Sequence, residues 1–152
     1  MRLLASSVVT IACSRTKAFD YAADLENFAD WFPGVVGIVA HNELSFATAG
    51  KQYAETVAVP LRGKRTVLIR VVDASAPMRL VTEGDLPLLL PRMEIEFYDV
   101  GEESCEVRWR MLSRSEIFLV RFAVLPVARW VMGRRAMVGL RNLKQRLEGL
   151  PR

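Results

Sequence analysis

LVRFAVLPVARWVMGRRAMVGLRNLKQRLE, residues 119–148, has the pattern of one long amphipathic helix. Ala136, Leu140, Leu143 and Leu147 recur at the three-to-four spacing of a single helical face. Seven cations (Arg121, Arg129, Arg134, Arg135, Arg141, Lys144, Arg146) stand against one carboxylate, Glu148. A helix of ~30 residues is ~45 Å long, more than the width of a domain of this size in most directions. It must therefore lie across another layer. Pro126 falls inside the pattern, so the helix either starts near it or kinks there.

The residues before it supply that layer as a series of short strands. The clearest hairpin pairs Met93 to Tyr98 with Cys105 to Met111 across a turn containing Gly101. Met93, Ile95, Phe97, Cys105, Val107, Trp109 and Met111 share the inner face. On the outer face Glu94 and Glu96 meet Arg108 and Arg110, an exposed ladder expected to be structural only. Upstream, strands are expected over Ser7 to Cys13, Val35 to Asn42, Lys51 to Val59, Arg65 to Val72 and Met78 to Glu83. Ser14 reads as the N-cap of a helix from Arg15 to Ala23, and Asp24 as the cap of a second from Leu25 to Trp31. Hairpin-length connections make the sheet antiparallel, and the order of elements makes an α+β domain spanning residues 1–152.

Composition narrows the partners. Residues 119–152 hold eight Lys/Arg and one Asp/Glu, net +7, whereas residues 1–118 hold thirteen and sixteen, net −3. Such a basic tail suits its own acidic body, an anionic membrane surface in transient contact, or nucleic acid. Nucleic acid is not the expected partner, because helix-turn-helix and basic-aromatic strand signatures are missing. Cys13 and Cys105 have no metal-ligand spacing and read as buried free thiols in a reducing, cytoplasmic compartment. The N-terminus alternates like a strand rather than a signal segment, and no apolar run reaches ~18 residues. No metal or cofactor is expected.

The order of elements and particular residues resemble the START-like, or SRPBCC, superfamily of pollen-allergen-like and polyketide cyclase/dehydrase-type lipid carriers. The matching residues run from Val9-Thr10-Ile11 to Phe19-Asp20-Tyr21, then Asp24-Leu25-Glu26-Asn27 and Trp31-Phe32-Pro33-Gly34-Val35. At the far end they are Gly139-Leu140-Arg141-Asn142-Leu143-Lys144-Gln145-Arg146-Leu147-Glu148. The resemblance implies a helix-grip fold: a curved seven-stranded antiparallel sheet wrapped on the long C-terminal helix, with two short helices between strands 1 and 2. It also implies a cavity between sheet and helix for a lipid, quinone or polyketide-like ligand. The apolar inward faces agree, and the expected wall is Trp31, Phe32, Tyr53, Ile69, Val71, Ile95, Phe97, Val107 and Trp109.

Few residues point to catalysis. His41 is the only histidine, so triads and multi-histidine metal sites are excluded, and it reads as a solvated strand-end residue. Glu55 alternates onto the face of Tyr53 and Val57. A carboxyl in an apolar pocket has a raised pKa and could, with Tyr53, transfer protons on a bound polyketide as a cyclase or dehydratase does. The expectation, however, is a register break that turns Glu55 outward. The apolar loop Leu86 to Pro91 would form an entrance, touch a partner or membrane, or tuck under the helix. The leading expectation is a non-catalytic binder of an apolar small molecule, followed by the enzyme and by an interaction module using the basic helix.

Overall fold

In the computed structural model, which describes residues 1–149, seven strands form one antiparallel sheet in the order β1-β7-β6-β5-β4-β3-β2. The strands are β1 (Arg2–Ile11), β2 (Val35–Ala40), β3 (Gln52–Val59), β4 (Gly63–Ser75), β5 (Arg79–Gly84), β6 (Pro91–Gly101) and β7 (Ser104–Ser113). Helix α1 (Arg15–Ala22) and a 3-10 turn (Leu25–Asp30) follow β1, and α2 (Leu125–Glu148) closes the chain. Register shifts interrupt β1, β2, β4 and β6, and such bulges bend a strand and increase its local twist. The result is the helix-grip arrangement that the sequence resembled.

Local chemistry sets the element ends. Ser14 accepts from the Lys17 backbone N–H at 3.2 Å, and Asp24 Oδ1 accepts from that of Glu26, also at 3.2 Å. The second short helix is a tight 3-10 turn rather than an α-helix. The first strand begins at Arg2, five residues before the alternation becomes clear, because β7 extends far enough to pair it. Pro126 does not break the final helix. A π-turn over Val120–Val124 precedes it, with the Leu125 N–H bonded to the Val120 carbonyl. The wider turn accommodates a proline that has no N–H of its own.

The basic face of α2 is largely committed to the body. Arg129 donates to the Leu3 carbonyl (3.1 Å), Arg135 to Ala58 (3.0 Å), Lys144 to Thr10 (2.9 Å) and Arg146 to Asp30 (2.9 Å). These cations hold main-chain oxygens on the sheet and turns, and so fix how the helix lies. Gly139 is required where α2 crosses Phe32, since a Cβ there would sit 2.8 Å from the ring. Cys13 and Cys105, far apart in sequence, are both buried free thiols and carry no disulfide.

The outer face departs from the simple ladder. Glu94 and Arg110 pair as the register requires, at 2.6 Å, but Arg92 also binds Glu94 at 2.8 Å. With its side chain only 8% exposed, Glu94 is a buried hub rather than a surface rung. Burial alone would raise its pKa, but hydrogen bonds from Arg92 and Arg110 hold the carboxyl below its ordinary value. Arg108 turns to Glu106 at 3.1 Å and stacks on Tyr98, leaving Glu96 to accept from the Tyr98 hydroxyl. No helix of the described residues is long and apolar enough to cross a membrane.

Candidate functional site

A cavity of about 510 Å³ lies between the concave face of the sheet and the first half of α2. Strands β3 to β6 supply one wall, with Glu55, Val57, Val67, Ile69, Thr82 and Met93 facing in. Helix α2 and its preceding turn supply the other, through Ala123, Val127, Ala128, Val131 and Met132. Phe28, Phe32 and Pro33 line the cavity on one side, and so does the loop Leu86 to Leu89, whose Leu89 packs with Val120 and Leu125 at the start of α2. A space this large, walled mainly by apolar side chains, is within the range that holds a small organic molecule.

Glu55 is the acidic residue of the wall, with Thr82 as a second polar side chain on β5. β3 pairs without a register break from Gln52↔Arg70 to Val59↔Gly63, so alternation carries Glu55 to the concave face. The expected outward turn does not occur, because nothing interrupts the two-residue period. Its cross-strand neighbours are Ile38 and Val67, and no cation pairs with it among the described residues. Burial therefore raises its pKa from 4.5 to about 7. At neutral pH the carboxyl is partly protonated, and that form can donate a hydrogen bond into an apolar chamber.

The remaining polar groups sit at the margins. Arg135 presses its guanidinium against Gly34, where a Cβ would overlap it, while donating to the Ala58 carbonyl. Burial lowers its pKa. Gly34 adopts a φ of 85°, so both its conformation and the guanidinium contact require glycine. Arg62 and Arg65 reach the cavity from the β3–β4 hairpin.

Of the nine expected wall residues, Phe32 and Ile69 border the cavity. Trp31, Tyr53, Val71, Ile95, Phe97, Val107 and Trp109 instead belong to the packed core. They face inward as alternation requires, but neighbouring rings fill the space around them. Phe32 lies 5.1 Å from Trp109, and Phe97 lies 5.3 Å from Phe19. Tyr53 is fully buried away from the cavity, and burial pushes its hydroxyl pKa to about 12. It cannot serve as the proton-transfer partner of Glu55 on a ligand there. His41 is an exposed residue just past β2, as expected.

The wall residues outside the expected set include small or polar ones, such as Val57, Val67, Thr82, Ala123 and Ala128, and flexible ones, such as Met93, Met111 and Met132. The signal of the small ones was their size. Small side chains opposite small side chains leave volume, whereas the aromatic positions chosen from the sequence consume it.

The geometry agrees with known proteins. The chain superposes on a START superfamily protein from Mycobacterium smegmatis with a TM-score of 0.73 at 14% identity, covering 98% of this chain and 99% of that one. A solution structure from Thermobifida fusca matches with a TM-score of 0.70 at 20% identity, covering 96% and 93%. The di-domain ARO/CYC protein BexL of the BE-7585A biosynthetic pathway matches at 0.66 and 18%, covering 96% of this chain and 50% of BexL. At these identities the likeness shows the fold alone. No match was found among curated protein sequences. The profile of the family described as polyketide cyclase / dehydrase and lipid transport matches residues 2–148, nearly the full chain, and the protein belongs to that family.

Proposed function

We propose that this protein binds and carries an apolar small molecule of the lipid, quinone or polyketide-like class in the cavity between sheet and α2. The cavity itself carries the reading: about 510 Å³, mainly apolar walls, and one half-buried carboxyl without a charge partner among the described residues. Apolar contact would supply affinity, at ~25 cal/mol per Å² before ordering costs. Protonated Glu55 would orient the ligand by donating to a carbonyl or hydroxyl oxygen. The buried thiols Cys13 and Cys105 suit a reducing, cytoplasmic setting. The test is native mass spectrometry of protein purified from its own host, together with titration by an environment-sensitive apolar dye. A co-purifying apolar molecule, displaced by the dye, supports the carrier. Absence of saturable binding by any apolar probe rejects it.

A second reading rests on one observation, the Glu55 pKa of about 7 within an apolar chamber. That value suits a general acid or base near neutral pH. The protein would then be a cyclase or dehydratase acting on a bound polyketide, with Glu55 alone of the original Glu55–Tyr53 pair in reach. Turnover of a polyketide surrogate that disappears in Glu55→Gln, with binding retained, would establish it.

A further inference from the structure

Three segments meet at the mouth of the cavity: the β3–β4 hairpin tip, the loop Asp85 to Leu90, and the chain from Ile117 to Val127. Each lends the cavity a lining residue (Arg62, Leu88 and Val127 respectively). Each also turns apolar side chains to solvent. Leu61, at the hairpin tip, is fully exposed, and Leu88, Phe118, Leu119 and Phe122 are exposed beside the opening. Phe118 and Phe122 pair their rings at 4.9 Å and so present one joint aromatic surface.

Two of these residues occupy backbone positions that favour glycine. Leu61 has a φ of 64° and Leu88 a φ of 72°. Glycine at either site would relieve the backbone and remove the exposed apolar area together. What leucine adds there is apolar surface: Leu61 protrudes wholly into water, and Leu88 lines the cavity with one side while leaving nearly half of itself exposed.

The fringe around these tips is basic. Arg62, Lys64, Arg65 and Arg121 stand near the mouth against the acidic Asp85 and Glu116. None of the four cations has a carboxylate partner among the described residues, unlike the outer-face arginines bound to Glu83 and Glu94. Arg65 donates to the carbonyl of its own neighbour Lys64 at 3.0 Å, whereas Arg129, Arg135, Lys144 and Arg146 are tied to carbonyls far away along the chain. Protruding leucine and phenylalanine ringed by unpaired cations complement an anionic lipid interface, where apolar tips enter the acyl boundary and cations meet phosphates.

We propose that the cavity mouth docks on an anionic bilayer surface through Leu61, Leu88, Phe118, Leu119 and Phe122, with Lys64, Arg62, Arg65 and Arg121 on lipid phosphates. This deepens the carrier reading and rests on it: a ligand would pass between bilayer and cavity without crossing bulk water. Of the partners open to the basic helix, its own body takes Arg129, Arg135, Lys144 and Arg146, and the proposed membrane contact falls to the mouth.

The test is co-sedimentation of the full chain with vesicles of phosphatidylcholine alone and of phosphatidylcholine with phosphatidylserine. Dye binding in vesicle-free solution is measured in parallel. Binding to the anionic vesicles is expected to weaken at least tenfold in Leu61→Asp/Phe122→Asp and in Lys64→Glu/Arg121→Glu. None of these four residues lines the cavity, so dye binding should persist in both variants and report that they are folded. Saturable dye binding without anionic-vesicle binding would overturn the docking and leave the carrier intact, with a protein as the partner for the rim. Vesicle binding that survives both double substitutions would also overturn it. Vesicle binding lost in both variants, from a protein that binds no apolar dye, would uphold the docking surface and reject the carrier.

Discussion

The two ends of the groove between the sheet and α2 obey the same alternation and are both apolar, yet one is solid and the other hollow. At the closed end Phe28, Trp31, Phe32 and Trp109 stack and cross one another, and Phe97 crosses Phe19, with ring centroids 4.8–5.9 Å apart. At the open end Val57, Val67, Thr82, Ile69 and Met93 on the strands face Ala123, Val127, Ala128, Val131 and Met132 on α2 and its preceding turn, with no aromatic ring among them. Polarity decides which side chains turn inward. Volume decides whether turning inward makes a core or a chamber.

The largest test of this contrast is truncation at each end. Trp109→Ala should cost ~3–5 kcal/mol, because neighbours packed on all sides cannot collapse into the space. Val131→Ala, on the cavity wall, should cost no more than ~1 kcal/mol, since its side chain already borders a void. Urea denaturation measures both, and equal losses would erase the distinction between the ends.

Glu55 supplies the next test. Its native pKa of about 7 lies above the ordinary value of 4.5, so between those values the folded state binds more protons than the unfolded chain. The associated stability is fully present below pH 4.5 and is lost as pH rises through 7, by roughly 3 kcal/mol in total. Glu55→Gln should flatten the stability profile across that window. A profile with the same slope in the variant would show that Glu55 is solvated and does not face a dry chamber. Neutral apolar ligands should likewise bind more tightly at pH 6 than at pH 8 in the native protein, with the difference absent from the variant.

Filling the hollow end sharpens the contrast further. Val131→Phe places a ring in the cavity and should weaken apolar dye binding at least tenfold, about 1.4 kcal/mol, with little change in denaturation midpoint. Undiminished dye affinity would move the binding site elsewhere.

The smallest effect is expected on the outer face. Reversing Glu96 and Arg108 should change stability by ~0–1 kcal/mol, since these exposed residues bind their own strand neighbours rather than each other. Reversing Glu94 and Arg110 should cost more, because the hub carboxyl would be replaced beneath Arg92 and Arg79. Denaturation of the two swapped variants side by side separates a surface rung from a buried hub.

Much of the fold was legible because it depends on local period and local caps. The two-residue alternation of Ile95, Phe97, Val107 and Trp109 marked strands and their inner faces. The three-to-four spacing of Ala136, Leu140, Leu143 and Leu147 marked the helix, and Ser14 and Asp24 marked the turns after β1. The site was much less legible. Large aromatics were read as walls, but they fill the groove they face, and Tyr53 is sealed away from the chemistry first assigned to it. Glu55 faces inward because β3 lacks the register break that would turn it outward. Unbroken pairing with β4 from Gln52 to Val59 keeps the two-residue period and carries Glu55 inward.

From the sequence alone came the antiparallel sheet, the long crossing helix, the free thiols and the family resemblance, all carried by nearest-neighbour patterns along the chain. The tertiary structure alone decided where the empty volume lies, which cations are spent on backbone carbonyls, that Glu94 is a hub and that Glu55 faces the cavity. Those properties depend on the sizes and positions of side chains distant in sequence. Periodicity fixes a side chain's direction, but only the opposing layer fixes what it meets.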